Sequence, residues 1–330
     1  MLINELKNIL ITVLAATFVI NGQLTLGMML AVQYIMGQLN SPVEQIMNFI
    51  YQWQDVSISL DRMNEIHTQD NEENKTRMLA VLPSNKAFHI KDLCFKYNGE
   101  QSDYVLNSLN FTIPEGKVTA IVGASGSGKT TLIKLLLGYY SPQEGAVRIG
   151  SNDLEDYNLS WWRMQCGAVM QEGYLFSESI ARNIAVSDDT PDLERLRYAA
   201  QVANIADYIE ALPLGYNTVI GQDGQGVSQG QRQRILIARI VYKNPSFLFF
   251  DEATNALDAN NEKIIVENLS TFYRGKTVVV VAHRLSTVKN ADQIVVLDQG
   301  EIVEVGNHVE LTQKRGKYYE LVKNQLELGN

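Results

Sequence analysis

Gly123-Ala124-Ser125-Gly126-Ser127-Gly128-Lys129-Thr130 is the stretch on which the reading of this chain turns. It fits the pattern G-x-x-x-x-G-K-[ST] in the setting that pattern requires. The β-rich Thr119-Ala120-Ile121-Val122 precedes it and a helical run, Thr131–Leu137, follows. Three glycines let successive backbone N–H groups curl around a phosphate, and the helix start adds partial positive charge. Lys129 can then reach the β- and γ-phosphates, and the Thr130 hydroxyl can ligate Mg²⁺.

Working outward, Phe247-Leu248-Phe249-Phe250-Asp251-Glu252 reads as a buried strand that ends in two carboxylates. Beside a phosphate loop, Asp251 can hold Mg²⁺ through water, and Glu252 can orient and deprotonate an attacking water. Short β-rich runs at Val118–Val122, Phe247–Phe250, Val278–Val281 and Ile294–Leu297 alternate with helical periodicity. That is the pattern of a mostly parallel α/β sheet, the P-loop NTPase class.

The order of the remaining pieces narrows the class. Gln171 follows the strand-like Gly167–Met170, and Val227-Ser228-Gln229-Gly230-Gln231-Arg232-Gln233-Arg234 precedes the Asp251 strand. Asn255-Ala256-Leu257-Asp258 follows Glu252, and His283 follows Val278–Val281. This set resembles the nucleotide-binding domain of ATP-binding-cassette (ABC) transporters over residues 87–330. The resemblance implies a homodimer paired head-to-tail, with two ATP molecules between the copies. Each site would join the Gly123–Thr131 loop of one chain (Gly123, Ser125, Gly126, Gly128, Lys129, Thr130 and Thr131) to Ser228, Gly230 and Gln231 of the other. Ser228 is also a good N-cap for the helix Gln231–Val241, which is expected to stop before Pro245. By the same resemblance Gln171 touches Mg²⁺ and the attacking water, His283 is the switch histidine on the γ-phosphate, Asp258 links the two sites, and Tyr97 stacks on adenine. The catalytic set is Glu252, His283 and Gln171; the Mg²⁺ set is Thr130, Gln171 and Asp251.

Two positions depart from the family pattern. The signature is usually Leu-Ser-Gly-Gly-Gln, and Val227 and Gln229 stand here in place of its leucine and first glycine. Gly221-Gln222-Asp223-Gly224 lacks the glutamate that many exporters carry just upstream of the signature.

The beginning of the chain has another character. From Asn8 to Val43 there is no Asp, Glu, Lys or Arg. Ile9–Ile20 and Leu24–Leu39 are predominantly apolar, interrupted by Asn21-Gly22-Gln23. At about 1.5 Å per residue, Leu24–Val43 covers the roughly 30 Å hydrocarbon core, so two membrane helices joined by a tight turn are expected, the first one short. Lys7 and Arg62 on the outer flanks place both ends in the cytoplasm. Beyond Pro42 the stripe Ile46, Phe49, Ile50, Trp53, Val56 and Leu60 carries the helix on into water. Residues 67–86, with the polar Asp70–Lys75, read as a linker. Leu24–Leu30 and Gln38–Gln45 look like the last two spans of an exporter-type membrane domain, so residues 1–66 are read as part of one. With the signature variant, they resemble the bacterial branch that exports bacteriocins or lantibiotic-like peptides. The expectation is the C-terminal part of such a transporter in the bacterial inner membrane, its ATPase domain in the cytoplasm, with membrane lipid and a peptide cargo as partners.

Composition sets the outer bounds. The 330 residues carry 28 Lys plus Arg against 37 Asp plus Glu, a net charge of −9, which disfavours nucleic acid bound through a broad basic face. Cys94 and Cys166 share no metal-ligand spacing and fit a reducing compartment. Two rival readings are a soluble ABC ATPase of DNA repair or translation and a non-catalytic nucleotide-binding partner. The apolar beginning argues against the first, and Glu252 with His283 against the second.

Overall fold

A computed structural model describes residues 2–68, 78–97, 102–221, 224, 226–282 and 288–328. The chain divides into two compact units, Met1–Glu72 and Glu73–Asn330.

The first unit is a helical hairpin, α1 (Leu2–Ile20) and α2 (Leu26–His67). Gly22 takes the left-handed conformation (φ 70°) in the turn, and the Thr25 hydroxyl caps α2 by accepting from the Met28 amide at 3.3 Å. The two helices touch through polar groups: Lys7 Nζ donates to Asn40 Oδ1 at 2.8 Å and Gln33 Nε2 to Thr12 Oγ1 at 3.3 Å. The hairpin lies where the apolar pattern puts it, but among the described residues no helix is long and apolar enough to cross a membrane. The reason lies in the composition of α2, whose apolar run is diluted by Gln33, Gln38, Asn40 and Ser41 before Glu44 arrives.

In the second unit, β1 (Phe88–Phe95), β2 (Leu106–Ile113), β4 (Glu144–Ile149) and β5 (Asn152–Asp153) form an antiparallel sheet in the order β2-β1-β4-β5. The main sheet holds β3 (Val118–Val122), β6 (Cys166–Val169), β9 (Phe247–Asp251), β10 (Thr277–Val281), β11 (Gln293–Asp298) and β12 (Glu301–Gly306). Its order is β12-β11-β3-β10-β9-β6, parallel except for the antiparallel edge β12. A small ribbon, β7 (Glu178–Ser179) with β8 (Val219–Ile220), stands apart from both. The helices of this unit are α3 (Lys129–Leu136), α4 (Leu159–Gln165), α5 (Ile180–Ile184), α6 (Leu193–Val202), α7 (Ala206–Glu210), α8 (Gln229–Lys243), α9 (Ala259–Phe272), α10 (His308–Lys314) and α11 (Lys317–Leu328).

Because strand side chains alternate, each central strand feeds two cores. Leu248, Phe250, Val278 and Val280 pack with Ile235, Ile237, Ala238, Ile265 and Leu269 of α8 and α9. Phe247, Phe249, Val279 and Val281 face the other way, against Leu132 and Leu136 of α3 and Phe88, Ile90 and Leu93 of β1. Phe88, wholly buried, joins the two sheets through edge-on contacts with Trp162, Phe247 and Phe249, at ring-centroid distances of 5.9, 5.3 and 6.2 Å.

Boundaries move where caps act. The helix expected at Gln231–Val241 runs from Gln229 to Lys243, because Ser228 caps one residue before Gln229 and Asn244, left-handed at φ 53°, closes the other end before Pro245. The second half of the expected linker is docked: the Leu79 amide donates to Asp156 O and the Asn158 amide to Leu79 O, both at 3.0 Å. The polar run Asp70–Lys75 lies outside the described residues. Cys94 and Cys166 are both buried and unbridged, and burial raises the Cys166 thiol well above its ordinary value.

Phe88→Ala should cost about 3–5 kcal/mol, the usual loss for a fully buried phenylalanine. Urea unfolding followed by tryptophan fluorescence measures it, since Trp162 lies against the same ring.

Candidate active site

The parallel sheet sets the site's geometry. Asp251 on β9 is level with Val281 on β10, and Val281 with Ile121 on β3. A carboxylate is therefore carried to the height of the phosphate loop, two strands away, at the carboxyl ends where open α/β sheets bind ligands.

The loop's shape depends on its glycines at two points. A side chain at Gly123 would collide with the Leu297 carbonyl oxygen. Gly128 is left-handed (φ 100°), and a Cβ there would lie 2.5 Å from Leu106 Cδ2. Lys129 is buried and folds back, its Nζ donating to the carbonyls of Gly123 at 3.0 Å and Ala124 at 2.7 Å. Burial lowers its pKa, and the Glu252 and Asp251 carboxylates oppose the shift.

A cleft of about 510 Å³ opens over the loop, lined by Val105, Ser125, Gly126, Gly128, Lys129, Thr130, Thr131, Gln171, Glu252 and Asn255. The structure thus gathers most of the expected phosphate, Mg²⁺ and catalytic residues from three separate parts of the sequence. Asp251 lies beneath them with no solvent exposure, and among the described residues neither carboxylate oxygen has a hydrogen-bond partner. Burial pushes this carboxyl above its usual range, against the pull of Thr130, Lys129 and Lys134. The buried Asp251 carboxylate, within reach of the Thr130 hydroxyl, together with the Thr130 and Gln171 side chains that line the cleft, supplies hard oxygen donors that fit Mg²⁺. Among the described residues no three His, Cys, Asp or Glu side chains form a metal cage, so a cation here would take its remaining ligands from water and phosphate oxygens.

Glu252 holds a left-handed backbone (φ 51°), a costly conformation for a residue with a side chain. Its Oε2 accepts from Asn255 Nδ2 at 2.6 Å. Asn255 is a cleft residue that the expected site does not include; the signal in the sequence is its position three residues after Glu252, the distance at which a tight turn folds a side chain back.

The other expected residues among those described lie outside the cleft lining. Tyr97, half-exposed, bonds through its hydroxyl to Thr131 Oγ1 at 2.9 Å and meets Phe95 and Tyr140 edge-on. Ser228 and Gln231 form a reciprocal cap at the start of α8: the Gln231 amide donates to Ser228 Oγ at 3.2 Å and the Ser228 amide to Gln231 Oε1 at 2.8 Å. Gln229 is exposed in the first turn of that helix, and Gly230 lies so near Ala256 that a Cβ would sit 3.1 Å from its carbonyl oxygen. Asp258 is exposed and caps α9, with Asn261 donating to both oxygens and holding the carboxyl below its ordinary pKa. His283 lies outside the described residues.

A phosphate loop at the end of a central parallel strand, with a strand-end carboxylate pair two strands away, defines a P-loop nucleotide-binding domain. Residues 106–255 match the ABC transporter family, and the chain carries an ABC transporter ATPase domain. It is 43% identical over 316 residues to leukotoxin translocation ATP-binding proteins LktB of Mannheimia haemolytica and Bibersteinia trehalosi, covering 96% of this chain and 44% of those proteins. A solved structure of a bacterial Atm1-family ABC exporter with ATP bound aligns at TM-score 0.76 and 33% identity, over 92% of this chain and 53% of that one. The chain thus spans about half the length of these relatives and is homologous to ABC exporters.

Asp251→Asn should stabilise the nucleotide-free protein by about 1 kcal/mol, a rise in Tm of roughly 2–4 °C, because a buried charge is removed. The same variant should lose the Mg²⁺-dependent part of ATP binding. Differential scanning calorimetry and titration with and without Mg²⁺ read the two effects.

Proposed function

We propose that this chain is the ATP-hydrolysing part of an exporter that moves polypeptide cargo across a bacterial inner membrane. The observation that carries this reading is the cleft in which the phosphate loop, Gln171 and Glu252 converge above the partnerless Asp251 carboxylate.

In this reading the loop amides and Lys129 bind the phosphates, Lys129 exchanging the Gly123 and Ala124 carbonyls for phosphate oxygens. Thr130, Gln171 and Asp251 would hold Mg²⁺, which would supply neutralisation of the charge that develops on the phosphate oxygens. Glu252 takes a proton from the attacking water, whose oxygen bonds to the γ-phosphorus while the bond to the β–γ bridging oxygen breaks, giving ADP and phosphate. Tyr97 stacks on adenine and His283 contacts the γ-phosphate.

Ser228, Gly230 and Gln231 meet the nucleotide of a second copy in a head-to-tail homodimer, and Asp258 joins the two sites. The reciprocal cap supports this role, because it makes a rigid helix N-terminus whose partial positive charge favours phosphate.

The exposed apolar side chains of the first unit, among them Ile9, Val13, Phe18, Leu30 and Ile35, support contact with lipid or further helices. For the cargo, the signature variant and the residues around Pro42 favour a bacteriocin-like peptide, whereas the name of the LktB relatives favours a protein toxin.

Glu252→Gln should keep ATP binding, lower hydrolysis by roughly 10²–10⁴-fold and trap an ATP-bound dimer. Near-normal turnover of the purified variant would end the assignment of Glu252. Gln229→Gly should change ATP-driven dimerisation by no more than about tenfold, or about 1.4 kcal/mol, since Gln229 is exposed in the first turn of its helix; analytical ultracentrifugation with ATP measures it. Uptake of a leader-bearing peptide compared with a toxin-type protein, in vesicles holding the complete transporter, decides the cargo.

A further inference from the structure

We propose that Asn255 is a positioning residue for hydrolysis, its carboxamide fixing the Glu252 carboxylate in the orientation that receives the water's proton. This rests on the reading of Glu252 as the base.

The turn after β9 is pinned at several points. The Glu252 amide donates to Val281 O at 3.1 Å, and the Glu252 carbonyl accepts from the Asn255 amide at 3.2 Å and from Gln233 Nε2 at 3.4 Å. The other end of the Gln233 carboxamide accepts from the Ala256 amide at 3.1 Å. Gln233 is buried on α8 and anchors both ends of the segment 252–256 to the helix that begins beyond Ser228. The backbone of Glu252 is thereby locked, left-handed conformation included.

What the backbone contacts do not set is the direction of the carboxylate on its flexible stem. Asn255 Nδ2 supplies that restraint at 2.6 Å, a hydrogen bond strengthened by the negative charge of its acceptor. Asn255 also lines the cleft beside Glu252, so the bond forms within the same cleft as the phosphate loop. A base misplaced by about 1 Å can lose two orders of magnitude in rate with its chemistry intact.

The test uses Asn255→Ala, which deletes the donor, and Asn255→Asp, which keeps the shape and replaces the donor with a second anion. Steady-state kinetics, binding of a fluorescent ATP analogue and thermal unfolding are measured on each. Both variants should lower kcat by roughly 10- to 100-fold while KM, analogue affinity and Tm stay close to those of the parent chain. Single-turnover hydrolysis with radiolabelled ATP supplies a stricter readout. In a Glu252→Gln background, Asn255→Ala should cause no further loss, because its effect runs through the carboxylate that is gone.

An unchanged kcat in both variants would overturn the proposal. So would a raised KM with kcat kept, which marks a direct nucleotide contact, or the same fold-loss with and without Glu252. If Asn255→Ala lowers Tm, the isosteric Asn255→Asp carries the comparison. Full activity of Glu252→Gln would remove the reading of the base as well, whereas an inactive Glu252→Gln beside active Asn255 variants removes this inference alone.

Discussion

A carboxylate shut away from water and lacking a hydrogen-bond partner is the constraint around which this domain is arranged. Asp251 is delivered by a strand whose every residue is buried, so the chain can neither solvate it nor move it aside. Such a group is costly wherever it appears. It persists because the sheet on both sides is sealed by aromatic and β-branched packing and because two lysines and a threonine lie within its field. The phosphate loop then acquires a second role beyond its own amides, since Lys129 and Thr130 carry the polarity that makes the buried anion tolerable.

Much of this is legible in the sequence. The strand–glycine loop–helix succession at Val118–Leu137 and the apolar run ending in Asp251-Glu252 are local patterns with local causes, and the parallel sheet follows from their alternation. Ser228 is recognisable as a cap because its hydroxyl serves an amide only three residues on, which needs no tertiary context. The contacts that could not be read are those whose partners are set by the turn after β9. Asn255 reaches Glu252 across a turn in which Glu252 takes a left-handed backbone, and nothing in the identity of a glutamate announces that. The same holds for Leu79, whose pairing with Asp156 and Asn158 turns part of an apparent linker into a docked strap.

The hairpin shows the converse. Its helices and its turn follow from periodicity and from Gly22, yet the apolar content of α2 falls short of a membrane span among the described residues. A charge-free run is a statement about which residues are absent. Carboxamides and hydroxyls satisfy it while still lowering the gain from entering hydrocarbon, and here Thr12, Gln33 and Asn40 use that polarity to hold one helix to the other, Asn40 by accepting from Lys7 just outside the run.

Lys129 bears on the shape of the loop itself. Its side chain is buried, and its ammonium group is bonded to two carbonyls of the same loop. It is thereby a strut across the turn, tying the start at Gly123 and Ala124 to the helix that follows, so the curve is held from inside as well as by its glycines.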